Sequence, residues 1–295
     1  MTTILVALLL AFAPTAAAGP WETASQLRAD LAPPVLAEAQ RQEYRQLVAD
    51  LADNATHGVL PKELFDRATA LGLRLVRTGD RVELRPAVLD SGAAGILVMR
   101  LGPLPAEVVL AAPHPFDDLR TGTIASTIFQ HAPIRALFIA TQSRNAGEMA
   151  DQSHNADSAL QLVTEALTDK LQAPWFVQVH GFGHGTTSAG AVVSGGSAGT
   201  PRDLLERGAD LVSAAVGGAD VRTSRMVPAL AARANVQSQW LKDRARFLHL
   251  ELGVDMRRIF EENPVFCAQL GTGLVAMADA DAQAEESYAT RLEQE

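Results

Sequence analysis

The chain has a single cysteine, Cys267, among 295 residues. Internal disulfides are excluded by that count, and so is a zinc site built on thiolates. Any metal has to be held by histidines and carboxylates, and the fold must rest on its apolar core. Basic residues are also in deficit, 25 Lys and Arg against 34 Asp and Glu, for a net charge of −9. A protein that tracks nucleic-acid phosphates needs basic patches to displace counterions, so nucleic acid is not an expected partner. No charged side chain appears before Glu22, and Ile4 to Ala13 is an uninterrupted apolar run. That run falls well short of the ~20 residues needed to span a bilayer. Ala16-Ala17-Ala18 then offers an A-x-A pattern before Gly19, so residues 1–18 read as a secretory signal peptide with no Lys or Arg in its n-region. The expectation is an exported protein, periplasmic or secreted, with no membrane span once the signal is removed.

From Thr23 to about Asn54 the chain is rich in Ala, Leu, Glu, Gln and Arg and is broken by Pro33-Pro34. It predicts two helices, the second around Val35 to Ala52, with a third over Pro61 to Leu71. Leu73 to Arg77 and Arg81 to Arg85 alternate apolar with polar around Thr78-Gly79-Asp80, the pattern of a hairpin. Residues 20–88 thus form an expected N-terminal helical and hairpin region, in which His57 reads as a solvated loop residue. From residue 89 to 278 the pattern changes. Near-continuous apolar runs (Gly95 to Met99, Val108 to Ala112, Ala136 to Ala140, Phe176 to Val179, Phe247 to Leu250) alternate with helical stretches, clearest over Ser158 to Leu171 and Arg202 to Val216. Strands buried on both faces and separated by helices predict an α/β domain with a mixed or largely parallel central sheet flanked by helices. A Gly/Ser-rich stretch from Gly181 to Gly199 carries a short strand, Ala191 to Val193, and residues 279–295 form a polar tail.

Chemistry gathers where apolar runs end. Val108 to Pro113 leads into His114-Pro115-Phe116-Asp117, Trp175 to Val179 ends at His180, and Phe247 to Leu250 reaches Glu251. Ligands of such sheets sit at the carboxyl ends of strands. Two histidines and a carboxylate make a catalytic zinc shell with one position open, and a further Glu supplies the general base such a site needs. His114, Asp117 and His180 are therefore the expected ligands of one zinc ion, with Asp118 and His184 as the competitors for the second and third places. Capping of the following helix is the other use open to His114 and Asp117. Glu251 is costly to bury unless paired or functional; it reads as the base, and an ion pair with Arg257 or Arg258 is the competing explanation. Arg144, with Asn145, follows the strand Ala136 to Ala140, where it can polarise a carbonyl oxygen or grip a substrate carboxylate. His154, His184, Asn145 and Arg257 are candidates for substrate contact or for supporting the ligands. In Asp151-Gln152-Ser153-His154-Asn155-Ala156-Asp157, helix capping accounts for the composition as well.

The order His114-x-x-Asp117, Arg144-Asn145, His180, Glu251 resembles the zinc carboxypeptidase superfamily. The His180-to-Glu251 spacing, and Phe247-Leu248-His249-Leu250-Glu251 followed by Arg257-Arg258, are similar to its aspartoacylase, succinylglutamate desuccinylase and N-formylglutamate amidohydrolase branches. The resemblance covers roughly Val108 to Arg258. It implies a zinc carboxypeptidase-like fold and an exported hydrolase cleaving an amide or peptide bond, with Glu251 activating water and Arg144 stabilising charge. It also implies a small-molecule or peptide substrate, possibly bearing a carboxylate. Two departures stand out: the first-motif carboxylate is Asp, one methylene shorter than Glu, and the segment between Asp117 and His180 is short for a peptidase. The shorter carboxylate favours a second reading, a non-catalytic exported binding protein that keeps the metallohydrolase fold. A third, a serine hydrolase using Ser194 or Ser197, lacks the G-x-S-x-G elbow.

Overall fold

Residues 19–28, 35–88 and 95–294 are described by the structure, a computed structural model. The expected signal peptide lies outside the described residues, as do residues 89–94, where the expected α/β domain begins. Among the described residues no helix is long and apolar enough to cross a membrane.

Three helices open the described chain: α1 (Pro20–Gln26), α2 (Glu38–Thr56) and α3 (Lys62–Ala70). In α2 the buried residues Tyr44, Leu47, Val48, Leu51, Ala52 and Ala55 follow helical spacing, which gives the helix one face to pack. Strands β1 (Leu73–Thr78) and β2 (Arg81–Pro86) form the expected hairpin, turned at Gly79 with φ +60°. The chain continues through β3 (Gly95–Arg100), β4 (Val108–Ala112), α4 (Thr121–His131), β5 (Ala136–Ala140), α5 (Ala159–Lys170), β6 (Trp175–Phe182) and β7 (Ala191–Ser194). It ends with α6 (Arg202–Ala215), β8 (Val221–Thr223), α7 (Val236–Leu241), β9 (Arg246–Gly253), α8 (Val254–Glu262) and α9 (Pro264–Gln294).

All nine strands form one mixed sheet in the order β1-β2-β3-β5-β4-β6-β9-β7-β8. The four central strands β5, β4, β6 and β9 run parallel, as their apolar runs predict. Successive residues of these strands point to opposite faces. Leu110, Val177 and Leu250 join a core covered by α1, α4, α6, α8 and α9, while Val109, Phe138, Phe176 and Phe247 join a second core under α2, α3, α5 and α7.

Two expected boundaries do not separate structural units. The hairpin of the N-terminal region pairs with β3 from Arg81↔Arg100 to Leu84↔Leu97, so it extends the main sheet and shares a core with it. The polar tail from residue 279 continues a single helix, α9, that starts at Pro264. Strands β6 and β9 are longer than their apolar runs suggest. They pair over their full length, from Trp175↔Arg246 to Phe182↔Gly253, so His180 and Glu251 lie inside the strands rather than beyond them. The start of β5 is pinned by Arg135, which is fully buried, donates to both oxygens of Glu107 at 2.6 and 2.9 Å and caps the carbonyls of Arg100 and Gly102.

Candidate metal centre

Because β4, β6 and β9 are parallel, their carboxyl ends share one edge of the sheet, and there the side chains of interest meet. After β4 the chain makes a single helical turn: the amide of Asp118 donates to the carbonyl of His114 at 2.7 Å. In such a turn the fourth residue on lies over the first. Asp118 Oδ2 accordingly sits 3.8 Å from His114 Nδ1, and from the neighbouring strand His180 brings its Nδ1 to 3.2 Å of the same oxygen. On β6 and β9 strand alternation places Phe176, Gln178 and His180, with Phe247, His249 and Glu251 opposite them, on the face of the second core. Along that face the side chains change from aromatic to polar toward the carboxyl edge.

Each of the two histidines is oriented through its other nitrogen. His114 Nε2 lies 2.9 Å from Asp151 Oδ1, and His180 Nε2 lies 3.2 Å from Gln178 Oε1. With those nitrogens donating, each neutral ring has its Nδ1 lone pair directed at Asp118. Burial works against charge on His114, but Asp118 and Asp151 together outweigh it and raise its pKa above the ordinary value. Burial opposes charge on Asp118 and Asp151 too, yet the histidines beside them hold both well below the usual carboxylate range. Deeper in, burial lowers His180 to about 4 despite Asp118, and holds His249 well below its ordinary value.

The donor set fits a cation. Asp118 Oδ2 is buried with no hydrogen-bond partner, although two imidazole nitrogens face it. An orphaned carboxylate oxygen between two histidines is what a His₂-carboxylate metal shell leaves when only its protein atoms are considered. The described residues offer three overlapping groups within ligand reach: His114, Asp118 and His180; His114, Asp151 and His154; and His180, His249 and Glu251. Ring geometry chooses among them. His114 and His180 meet edge to face, with ring centroids 5.0 Å apart and planes at 73°, so their in-plane lone pairs can converge. His180 and His249 are stacked at 4.3 Å and 26°, which directs their in-plane lone pairs along neighbouring, nearly parallel planes rather than at one point. In the group with Asp151 and His154, His114 takes part through the nitrogen already bonded to Asp151, and His154 is half-exposed.

Glu251 lies across from His180 in the strand register and 3.9 Å from His249 Nε2, with Oε2 buried and unpartnered. Burial, reinforced by the charge of Asp118, pushes its carboxyl up to about 7. The competing ion pairs are not made: Arg257 donates to the carbonyls of Leu252 at 2.6 Å and Phe182 at 3.3 Å, and Arg258 sits 3.5 Å from Asp255.

Asp117 does not face the histidines. One of its oxygens accepts from Ser143 Oγ at 2.8 Å and Asn145 Nδ2 at 2.7 Å, and the other from the Arg144 amide at 2.9 Å. It ties down the turn that carries Arg144, whose guanidinium reaches 3.4 Å from His114 Nδ1 and 3.7 Å from Asp151 Oδ2. His154 Nδ1 lies 3.0 Å from both oxygens of Asp151. His184 is exposed on the Gly-rich loop and belongs to none of the three groups. Arg257 packs against Gly181, where a Cβ would come within 1.9 Å of its Nη1. Ser194 is fully buried, and Ser197 borders a cavity of about 460 Å³ that also involves Trp175 and Arg246, at the opposite edge of the sheet from the histidines. Neither capping role expected for His114 and Asp117 is seen, since α4 begins after Arg120, which adopts φ +79°.

Asp151, His249 and Gln178 escape a reading based on strand ends. Alternate positions counted inward from His180 and Glu251 reach Gln178 and His249, and the Asp151-x-x-His154 spacing marks the third residue.

No protein-family model matches the chain, and no curated protein matches it. Solved structures do. The chain is similar to N-formylglutamate amidohydrolase from Ralstonia eutropha at 15% identity, over 61% of this chain and 93% of that one, with a TM-score of 0.36. It is similar to LapA of Legionella pneumophila at 11% identity, over 87% and 72% of the two chains, with a TM-score of 0.44. A third similarity is to the catalytic domain of CwlV, an N-acetylmuramoyl-L-alanine amidase from Bacillus (Paenibacillus) polymyxa var. colistinus, at 14% identity, over 60% and 99%, with a TM-score of 0.36.

Proposed function

We propose that the protein is a metal-dependent hydrolase of amide bonds, with one zinc ion held by His114, Asp118 and His180. The observation that carries this reading is the buried, unpartnered Asp118 Oδ2 facing two imidazole nitrogens. Zinc suits a shell of nitrogen and oxygen donors in a chain with no second cysteine. Bound there, the ion supplies Lewis acidity, which makes water a nucleophile near neutral pH and polarises a carbonyl.

The chain's own groups do the rest. Glu251 takes a proton from the attacking water on its buried, unpartnered oxygen and returns it to the leaving nitrogen. Arg144, anchored through Asp117, stabilises the developing oxyanion or grips a substrate carboxylate. Asp151 holds the His114 ring in place. The binding-protein reading rests on an Asp where the resemblance implies Glu, and Asp118 is an Asp as well; the buried, unpartnered oxygen of Glu251 is what favours turnover over binding alone. The apolar run and Ala16-Ala17-Ala18 pattern support export, checked by whether the mature protein begins at Gly19.

Metal analysis of the purified protein tests the reading. One zinc per chain is expected in the wild type and in Asp117→Asn, and none in His114→Ala, His180→Ala or Asp118→Asn. A wild type without a transition metal after purification free of chelators overturns it, and a loss of zinc in Asp117→Asn alone returns the ligand position to Asp117.

A further inference from the structure

Behind His180 lies a chain of buried side-chain amides. Gln178 Oε1 accepts from Asn235 Nδ2 at 2.6 Å and faces His180 Nε2 at 3.2 Å. On its other side Gln178 Nε2 donates to Gln237 Oε1 at 3.1 Å, and Gln237 Nε2 donates to the carbonyl of Gln152 at 2.9 Å. Asn235 is itself fixed, because its Oδ1 accepts from the Ser238 amide at 2.9 Å and caps α7. Exposure matters here: Gln178, Asn235 and Gln237 are 3%, 2% and 0% exposed, so water is not at hand to replace a missing partner.

The polarity of the chain is therefore determined. A cap oxygen can only accept, which turns Asn235 Nδ2 toward Gln178. An NH₂ group arriving there requires the oxygen of Gln178, and the amino group of Gln178 finds its acceptor in Gln237. The oxygen that remains in front of His180 can only accept, so Nε2 is satisfied only when it carries the proton, in competition with Asp118 Oδ2, the acceptor 3.2 Å from Nδ1. We propose that Gln178 and Asn235 are positioning residues that lock His180 as the Nε2–H tautomer and so hold its Nδ1 lone pair toward Asp118. What that lone pair serves rests on the metal reading above; in the zinc-free chain Gln178 has to hold the proton at Nε2 against Asp118 Oδ2. Helix α7, only Val236–Leu241 and distant in sequence from every proposed ligand, is thereby part of the construction of the site.

The test compares substitutions of equal bulk in the full chain. Gln178→Met removes the acceptor, whereas Gln178→Glu keeps an acceptor in front of His180. Asn235→Ser keeps the helix cap but is too short to reach Gln178. Two readouts are taken on each protein: the protonated ring nitrogen of His180 by ¹⁵N NMR of the zinc-free chain, and the zinc dissociation constant by competition with a chelator. Wild type and Gln178→Glu are expected to show Nε2–H and similar affinities. Gln178→Met is expected to show a mixture of tautomers and an affinity weakened roughly 10–100-fold, the range found when groups that orient metal ligands are removed. Asn235→Ser should fall between them with a melting temperature close to wild type. Nε2–H and unchanged affinity in Gln178→Met, or an equal loss in Gln178→Glu, overturn the proposal. If the wild type binds no zinc, the metal reading fails alone. The NMR signals still decide the positioning role, since Nε2–H in wild type and its loss in Gln178→Met support it and any other pattern refutes it.

Discussion

Replacing Glu251 by Gln separates the two things a buried carboxyl group does in this protein. In the metal-free chain burial and Asp118 push Glu251 up to about 7 from an ordinary value of 4.5. A group that binds its proton more tightly when folded is neutral in the folded protein at pH 5 and must be ionised at pH 8. Its contribution is therefore lost as pH rises from about 4.5 through 7, the reverse of a paired carboxylate. At ~1.4 kcal/mol per pH unit the loss amounts to about 3 kcal/mol above pH 7. Gln cannot ionise and keeps the shape, so metal-free Glu251→Gln should exceed wild type by about 1 kcal/mol at pH 5 and by about 3 kcal/mol at pH 8. Urea unfolding of chelator-treated protein at the two pH values measures this. With zinc restored, the variant should keep its metal and lose on the order of 10²- to 10⁴-fold in amide turnover, the usual range for a missing general base. Were Glu251 instead one half of a buried ion pair, the substitution would strand the other charge and destabilise the protein by roughly 3–5 kcal/mol. A destabilised but active Glu251→Gln protein refutes the catalytic assignment.

Gly181→Ala should destabilise the protein by about 3 kcal/mol in urea unfolding, because the added Cβ would lie 1.9 Å from Arg257 Nη1 and force the guanidinium off the carbonyls of Leu252 and Phe182. Arg135→Met should cost roughly 3–5 kcal/mol by the same measure, since it strands Glu107 and two carbonyls; a loss below ~1 kcal/mol would show that water takes over the arginine's role. Cys267, fully buried, has its thiol pushed up to about 12 by burial, so a thiol reagent at pH 8 should leave the native protein unlabelled and modify one cysteine per chain in denaturant. Asp117→Asn should keep zinc while kcat/KM falls about 10-fold, as the turn holding Arg144 loses part of its anchor; an unchanged kcat/KM would remove Arg144 from the mechanism.

The central strands were legible because strands buried on both faces cannot hide: Val108–Ala112 and Ala136–Ala140 have no polar residue to interrupt them. The place of the hairpin was not, because pairing with β3 depends on a register that joins two polar-edged strands across residues 89–94. At the site, His114, His180 and Glu251 stood out because apolar runs end at them, and the structure brings them to one edge of the sheet. The choice between Asp117 and Asp118 turned on something the sequence states only weakly. Pro115 and Phe116 permit either an open turn or a helical one, and the helical one carries Asp118 over the His114 ring while directing Asp117 to the next loop. The amides behind His180 were illegible for a different reason. Gln178 sits within an apolar run, and its partners Asn235 and Gln237 follow a loop with no periodicity to mark them.

Exposure across the site also assigns a direction of approach. The side chains of His114, Asp118 and His180 are 1%, 10% and 6% exposed, and those of Asp151, Arg144 and His154 are 22%, 37% and 42% exposed. The second set opens a way in on that side, past a guanidinium and an imidazole, toward the buried histidines. Arg144 is held at that rim by its main-chain bond to Asp117 rather than by a full ion pair, which leaves donors of its fork for an incoming anion. A carboxylate on the substrate would be gripped there. The separation between Arg144 and Glu251 then sets how far from that carboxylate the scissile amide must lie.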